Sequence, residues 1–171
     1  VNMSIGEGFL QVTPLQLANM VSTIVNDGTA YRPYLLKEVR DAVTGEIIRE
    51  TTPEVLRTNE ISDATYRSVR EAMRGVITDG TAEVVITTEA VTVAGKTGTG
   101  QTGVQDHLNS WFVAYAPYGE SAEPSEQVVV VVMVDAANEW EWWAPKAANI
   151  ILHGHFRDMT FEQTVARSEE H

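Results

Sequence analysis

The stretch Val93-Ala94-Gly95-Lys96-Thr97-Gly98-Thr99-Gly100-Gln101 sets one of only three lysines in the chain among glycines and threonines. The residues before it are rich in threonine and valine, which predicts a strand from Thr87 to Thr97 that ends at this lysine. A phosphate-binding loop of the form G-x-x-x-x-G-K-[ST] needs an earlier glycine, and residues 81–94 contain none. The stretch is therefore either an ordinary hairpin end with a solvated lysine or part of a site. The rest of the chain must decide between them.

Size and composition restrict the possible functions. A chain of 171 residues fits one domain and can bury about two-thirds of its unfolded surface. Its net charge of -12, with no run of lysine or arginine, argues against a nucleic-acid partner. Cysteine is absent, which excludes disulfides and cysteine nucleophiles. The longest apolar run, Val128 to Val134, is far too short to cross a membrane. Because the chain starts at Val1, we expect a processed or excised piece, with any anchor or export signal upstream.

The first half of the chain predicts two helices and two strands. Each helix begins at a good N-cap and ends at a glycine suited to a left-handed cap. The predicted elements are a helix from Thr13-Pro14 to Gly28, strands from Tyr31 to Arg40 and Glu46 to Glu50 around a Thr44-Gly45 turn, a polar connection from Thr51 to Glu60, and a helix from Ser62 to Asp79-Gly80.

The second half predicts three strands and two closing helices. The short loops between the strands predict an antiparallel meander, and the valine run predicts a strand buried on both faces. The predicted elements are the Thr87–Thr97 strand, a polar connection from Gly98 to Leu108, strands from Asn109 to Ala116 and Val128 to Val134, a helix near Pro145 with Ala148, Ile151 and Leu152 as its apolar stripe, and a short helix with Thr160 and Gln163 at capping-box spacing. The fold class is α+β: a three-stranded antiparallel meander covered by helices.

Several motifs follow one another in a fixed order along nearly the whole chain. They are Ser-Ile-Gly-Glu-Gly (4–8), Val-Thr-Pro-Leu-Gln-Leu-Ala (12–18), Gly80-Thr81-Ala82, Ala94-Gly-Lys-Thr-Gly-Thr99, Trp111-Phe-Val-Ala-Tyr-Ala-Pro117, the valine-rich strand and Ala144-Pro145. In this order they resemble class B penicillin-binding proteins, most closely the elongation type, penicillin-binding protein two. The resemblance is far more specific than Lys96-Thr97-Gly98 alone.

This resemblance implies a partial penicillin-binding, serine β-lactamase-like transpeptidase fold and a D,D-transpeptidase that cross-links peptidoglycan. A serine would be acylated by a D-Ala-D-Ala stem peptide, or by a β-lactam that mimics it, and an amine would then resolve the acyl-enzyme. The family implies no cofactor and no metal. It implies work on the extracytoplasmic, periplasmic face of the inner membrane behind an upstream anchor helix. The membrane glycan polymerase is a further expected partner.

The resemblance also assigns roles to the lysine stretch. Lys96 would place a positive charge near the nucleophile and the substrate carboxylate. Thr97 and Thr99 would offer hydroxyls to that carboxylate, and the Thr99 backbone amide would be an oxyanion donor. Gly95 and Gly98 would leave room for the ligand beside the strand.

The family's S-x-x-K and S-x-N motifs are missing. None of the eight serines has lysine three residues on or asparagine two residues on. We therefore expect residues 1–171 to be the C-terminal portion of one transpeptidase domain, unable to acylate alone. The missing upstream half would be its partner, and without it we expect an uncovered apolar face or sheet edge and a marginal or sticky piece.

Two rival functions keep the same fold. A penicillin-sensing or β-lactamase-like domain shares Lys96-Thr97-Gly98, but the Val-Thr-Pro-Leu-Gln segment argues against it. A non-catalytic interaction domain with a decayed site is the second rival, and the intact Lys96 to Thr99 run argues mildly against that.

Other candidate residues favour simpler interpretations. Tryptophans at 140, 142 and 143, with Glu139 and Glu141, would either pack a helix start onto the sheet or grip a partner. His153 and His155, two apart on a helix, point to different sides and make a poor metal site. His107 is better explained as a solvated loop residue than as a substrate contact. Nothing fixes Glu7 and Asp106 as a carboxylate pair for glycoside chemistry.

Overall fold

The secondary structure follows from a computed structural model, which describes residues 11–119, 122, 126–136 and 142–168. The helices are α1 (Pro14–Val25), α2 (Asp63–Thr78), α3 (Trp143–Phe156) and α4 (Phe161–Ser168). The strands are β1 (Thr29–Tyr31), β2 (Glu38–Arg40), β3 (Ile47–Glu50), β4 (Val55–Thr58), β5 (Ala94–Gln101), β6 (Leu108–Ala116) and β7 (Val128–Ala136). In this part of the chain, no helix has the length and apolar character needed to cross a bilayer.

Side chains cap the starts of α1, α2 and α4 as predicted, whereas Gly80, expected to form a left-handed cap after α2, does not have a positive φ. The Thr13 hydroxyl accepts from the Gln16 amide at 3.2 Å, and the Gln16 side chain accepts from the Thr13 amide at 2.8 Å. Gly28, just beyond α1, has a φ of +92°, which a residue with a side chain rarely adopts. The Ser62 hydroxyl caps α2, and Thr160 and Gln163 form the predicted capping pair at α4.

The three long strands form an antiparallel sheet in the order β5-β6-β7, covered by helices on both faces. Phe112, Ala114 and Ala116 of β6 pack on one face against Leu152 of α3 and other residues of the first core cluster. Val113 and Tyr115 pack on the other face with Val21 of α1 and Met73 of α2. The predicted fold class, a helix-covered meander, is confirmed.

The strand that carries the lysine is shifted from its predicted position. It runs from Ala94 to Gln101 rather than from Thr87 to Thr97, because it pairs with β6 from Ala94 opposite Tyr115 to Gln101 opposite Leu108. The connection predicted over residues 98–108 therefore shrinks to 102–107. Residues 87–93 do not pair in the sheet: the Asn149 side chain of α3 accepts from the Thr87 and Thr88 amides at 3.1 and 2.9 Å instead.

The prediction of one strand from Tyr31 to Arg40 is wrong. It divides into β1 and β2, and β4 lies inside the predicted polar connection and pairs with β1. Pro33 has no amide hydrogen to donate, and Arg32 is held by Glu54 through an amide-to-carbonyl bond of 2.9 Å and an ion pair of 2.6 Å. The β2–β3 pair around Thr44-Gly45 agrees with the prediction.

Two predictions about the later elements need correction. The valines of β7 contact both hydrophobic clusters but are only partly buried, because β7 is an edge of the described sheet. Helix α3 begins at Trp143, and Ile151 is 48% exposed. The buried stripe of α3 is instead Ala144, Ala148 and Leu152, spaced four residues apart. The segment 4–8, Trp140, and most of the acidic loop 120–126 lie outside the described residues.

Candidate functional site

The lysine stretch lies on β5, the outer strand of the described sheet. Lys96, Thr97, Gly98 and Thr99 all belong to this strand, and among the described residues β5 pairs only with β6. Lys96 is exposed, and its Nζ donates to the Thr97 carbonyl oxygen at 2.7 Å. The ammonium group is therefore held beside the backbone of its own strand.

The two faces of β5 carry different chemistry. Lys96 is opposite Val113 and Gly98 is opposite Trp111, so both lie on the face covered by α1 and α2. Thr97 and Thr99 lie on the other face of the strand, as their spacing of two predicts. The Lys96 amine and the hydroxyls of Thr97 and Thr99 thus lie on opposite faces of β5, at the outer edge of the sheet.

Thr81 joins this group, although no role was predicted for it. Its hydroxyl oxygen lies 2.9 Å from that of Thr97. Thr81 follows α2, and the next residue, Ala82, is fully buried with its amide bonded to the Val76 carbonyl at 3.0 Å. The buried Ala82 thereby holds Thr81 against Thr97. The Gly80-Thr81-Ala82 motif was the sequence signal for this contact.

The two glycines of the stretch differ in what their missing side chain allows. A Cβ at Gly95 would lie 2.7 Å from the Val113 carbonyl oxygen and 2.8 Å from Phe112 Cζ. Gly95 is buried, so the absence of a side chain there is required for packing against β6. A Cβ at Gly98 would meet only Trp111 Cβ at 3.3 Å.

Helix α2 braces the start of β5. The Arg74 guanidinium donates to the Val93 carbonyl at 2.6 Å and lies 5.9 Å from the centre of the Tyr118 ring. The Tyr118 amide donates in turn to the Thr92 carbonyl at 2.8 Å. These contacts fix the backbone that leads into Lys96.

Tyr115 lies in the core opposite Ala94. Its hydroxyl is buried and has no hydrogen-bond partner among the described residues. Burial raises the pKa of Tyr115 to about 12, although the nearby Arg70 charge opposes this rise. Tyr115 is therefore a neutral core residue near neutral pH.

The other sequence candidates lie apart from the β5 edge. His107 Nδ1 is 3.1 Å from an Asp135 oxygen on β7, across β6 from β5. His153 bonds Thr88 through Nδ1, whereas the exposed His155 ring packs edge-on against Phe156. These two histidines do not converge, and the described residues contain no group of three or more side chains placed to hold a metal.

The remaining candidates fall near or beyond the described residues. Trp142 is half-buried and Trp143, in the first turn of α3, is 41% exposed. Asp106 lies in the β5–β6 turn with a φ of 57°, and its proposed partner Glu7 is outside the described residues. No carboxylate pair is therefore defined.

Comparison with known proteins gives one family match, described as the penicillin binding protein transpeptidase domain, over residues 1–153. Stage V sporulation protein D of Bacillus subtilis is 36% identical over 76% of this chain and 20% of its own length. Peptidoglycan D,D-transpeptidase MrdA of Haemophilus influenzae is 27% identical over 88% of this chain and 25% of its own length. The chain thus spans about a fifth to a quarter of these relatives.

Solved structures give the same picture. The D,D-transpeptidase domain of a peptidoglycan glycosyltransferase from Eggerthella lenta matches with a TM-score of 0.65 and 30% identity, over 86% of this chain and 33% of that one. PBP2 of Pseudomonas aeruginosa matches with a TM-score of 0.65 and 29% identity, over 91% of this chain and 32% of that one. Both matches cover most of this chain.

Proposed function

Because this chain belongs to the penicillin-binding protein transpeptidase domain family, we propose that it forms one wall of a peptidoglycan D,D-transpeptidase active site. The names of the relatives support cross-linking rather than penicillin sensing or β-lactam hydrolysis, since several are called D,D-transpeptidases. The decayed-site alternative is not favoured, because Lys96, Thr97 and Thr99 are all present on one outer strand.

The observation that carries this proposal is the group at the edge of β5. The exposed Lys96 amine bonds the Thr97 carbonyl at 2.7 Å, and the Thr97 hydroxyl is held by Thr81 at 2.9 Å. Lys96 supplies positive charge for a substrate carboxylate and for proton transfer at the nucleophile. Thr97 and Thr99 supply hydroxyls to the carboxylate. Gly98, which lies between them, has no side chain that would block a ligand from the strand.

The backbone of β5 supports a second role. In an antiparallel strand the amide and carbonyl of one residue point to the same edge, as do those of the residue two positions on. Since the Thr97 carbonyl is reached by the Lys96 amine, we place it on the edge away from β6, and the Thr99 amide with it. There the Thr99 amide serves as an oxyanion donor, and a peptide substrate adds to β5 as a further strand.

The reaction that this wall serves has two balanced steps. A serine oxygen, supplied by another part of the domain, adds to the penultimate D-Ala carbonyl carbon. The C–N bond then breaks, and terminal D-Ala leaves with the serine proton. An amine of a second stem peptide next attacks the ester carbonyl carbon, the C–O bond to the serine breaks, and a proton from that amine passes to the serine oxygen as the cross-link forms. With a β-lactam, the ring C–N bond breaks instead and the acyl-enzyme persists.

We further propose that residues 1–171 are the C-terminal portion of the domain and need the upstream portion for acylation. The short share of the relatives that the chain covers supports this. The extracytoplasmic location behind an upstream anchor, the elongation-type assignment and a membrane glycan polymerase partner belong to the same proposal. They rest on the family resemblance.

Fluorescent-penicillin labelling of the protein at its natural length tests the role of Lys96. We expect Lys96→Ala to slow labelling at least 100-fold, because one electrostatic or acid-base group typically contributes a rate factor of about 100 or more. Lys37→Ala is the matched control, because it removes the same charge from the β1–β2 connection. Equal labelling of the Lys96→Ala and Lys37→Ala proteins would refute the proposed role.

A further inference from the structure

A cavity lies on the α3 side of the sheet, whereas Lys96 lies on the opposite face. Its volume is about 750 Å³, and its walls are α3, α4 and the segment 84–89. Helix α3 contributes residues at positions 146, 149, 150 and 153, which recur at helical spacing and form one face. The cavity is therefore formed by three elements together and is not a gap beside one loop.

The charges in this cavity oppose those of the chain. Lys146 and Arg167 line it with a single carboxylate, Glu89, whereas the whole chain has a net charge of -12. Across the described ranges, neither cation has a carboxylate oxygen within 4.0 Å. The described side chains that line the cavity thus carry about one unit of excess positive charge.

An imidazole in the wall supplies a further donor. Thr88 Oγ1 accepts from the Ala90 amide at 3.2 Å and lies 3.0 Å from His153 Nδ1, so its own proton is available to that nitrogen. We assign the tautomer in which Thr88 donates to Nδ1 and neutral His153 carries its proton on Nε2. That nitrogen is buried and has no partner among the described residues. A buried donor left in this way favours a ligand acceptor.

The electrostatic surroundings agree with this protonation state. Burial lowers the pKa of His153, and the charges of Arg167 and Arg157 lower it further. The imidazole is therefore neutral near neutral pH, and positive potential reaches its ring.

We propose that this cavity binds a small aliphatic carboxylate, with the carboxylate among Lys146, Arg167 and His153. A carboxylate matches the single unit of excess charge, whereas a phosphate monoester carries about 1.5 to 2 units. Arginine also binds a carboxylate through two parallel hydrogen bonds. The aliphatic part contacts Val84, Val85 and Ile150, the apolar side chains of the wall. This site is independent of the transpeptidase proposal, because it shares no residue with the β5 edge.

Calorimetric titration of the natural-length protein with hexanoate tests the site. We expect saturable one-to-one binding of hexanoate, and none of hexylammonium or inorganic phosphate at the same concentrations. Arg167→Gln and Lys146→Gln should each weaken binding about threefold to fivefold, as for a partly exposed ion pair. Arg67→Gln is the control, since it removes an exposed arginine from α2, outside the cavity.

The imidazole is tested by a matched pair of variants. His153→Gln keeps an N–H donor and should retain most of the affinity, whereas His153→Phe should lose more, with thermal melts showing that both proteins fold. The proposal is overturned if hexylammonium or phosphate binds as well as hexanoate, if hexanoate does not saturate, or if Arg167→Gln binds like Arg67→Gln. Penicillin labelling is not a readout here, so failure of this site leaves the β5 proposal standing.

Discussion

Replacing Gly95 with alanine should destabilise the protein more than the same change at the other glycines of β5. The added Cβ would lie 2.7 Å from the Val113 carbonyl oxygen, 2.8 Å from Phe112 Cζ and 3.2 Å from Ala114 Cβ. The carbonyl belongs to the β6 backbone and the Phe112 ring is fully buried, so neither moves aside freely. One extra carbon in such a packed site costs about 1–3 kcal/mol.

The same strand provides controls. A Cβ at Gly100 has its nearest neighbour, Asn109 Cβ, at 3.6 Å, which is ordinary contact. Gly100→Ala should therefore be neutral or stabilise by about 0.4–1 kcal/mol, because it restricts the unfolded chain. Gly98→Ala, with Trp111 Cβ at 3.3 Å, should fall between the two in stability.

Urea unfolding of the three variants measures these differences as shifts in the midpoint at constant slope. We expect the order of stability to be Gly100→Ala, then Gly98→Ala, then Gly95→Ala. If Gly95→Ala were as stable as wild type, or if Gly100→Ala lost as much as Gly95→Ala, the packing explanation for Gly95 would be wrong.

Three further predictions concern single side chains. Thr81→Val should slow penicillin acylation about twofold to tenfold, because it removes the hydrogen bond to Thr97, whereas Thr81→Ser should restore the rate; equal stopped-flow rates for both variants would exclude this positioning role. Tyr115→Phe should stabilise the fold by about 1 kcal/mol at neutral pH, since it removes a buried hydroxyl without a described partner. Between pH 10 and about 12, Tyr115 ionises in the unfolded chain but not yet in the folded one, which lowers the free energy of unfolding. Tyr115→Phe should abolish this loss of stability. Burial lowers the pKa of His153 in the folded protein. As the pH falls below the ordinary histidine pKa of about 6.5, His153 is therefore protonated in the unfolded chain before it is protonated in the folded one, and wild type should lose stability. A pH series of melts should show a smaller loss for His153→Gln.

Local sequence signals predicted the helices and much of the sheet. Thr13 with Gln16, Ser62, and Thr160 with Gln163 each satisfy backbone donors within one turn, so a few residues are enough to identify the helix starts. The run of valines in β7 likewise predicts a strand without information from the rest of the chain.

The errors arose where distant residues decide the structure. The shift of β5 depends on its pairing with β6 and on Asn149, which is more than sixty residues from Thr87. Strand β4 forms because β1 pairs with it, although it lies within the stretch predicted to be a polar connection.

The site shows the same division between local and distant information. Lys96, Thr97 and Thr99 are marked by a contiguous motif, and the family they indicated is confirmed. The packing role of Gly95 and the α3–α4 cavity depend on spatial neighbours that no short pattern records.

The most direct test of the β5 account is a crystal structure of the natural-length protein acylated by a penicillin. We expect the bound acyl group to lie along β5, with its carboxylate within hydrogen-bonding distance of the Thr97 or Thr99 hydroxyl. We expect the carbonyl oxygen of the ester to accept a hydrogen bond from the Thr99 amide. An acyl group bound away from β5, with Lys96 and both hydroxyls making no contact with it, would contradict the account.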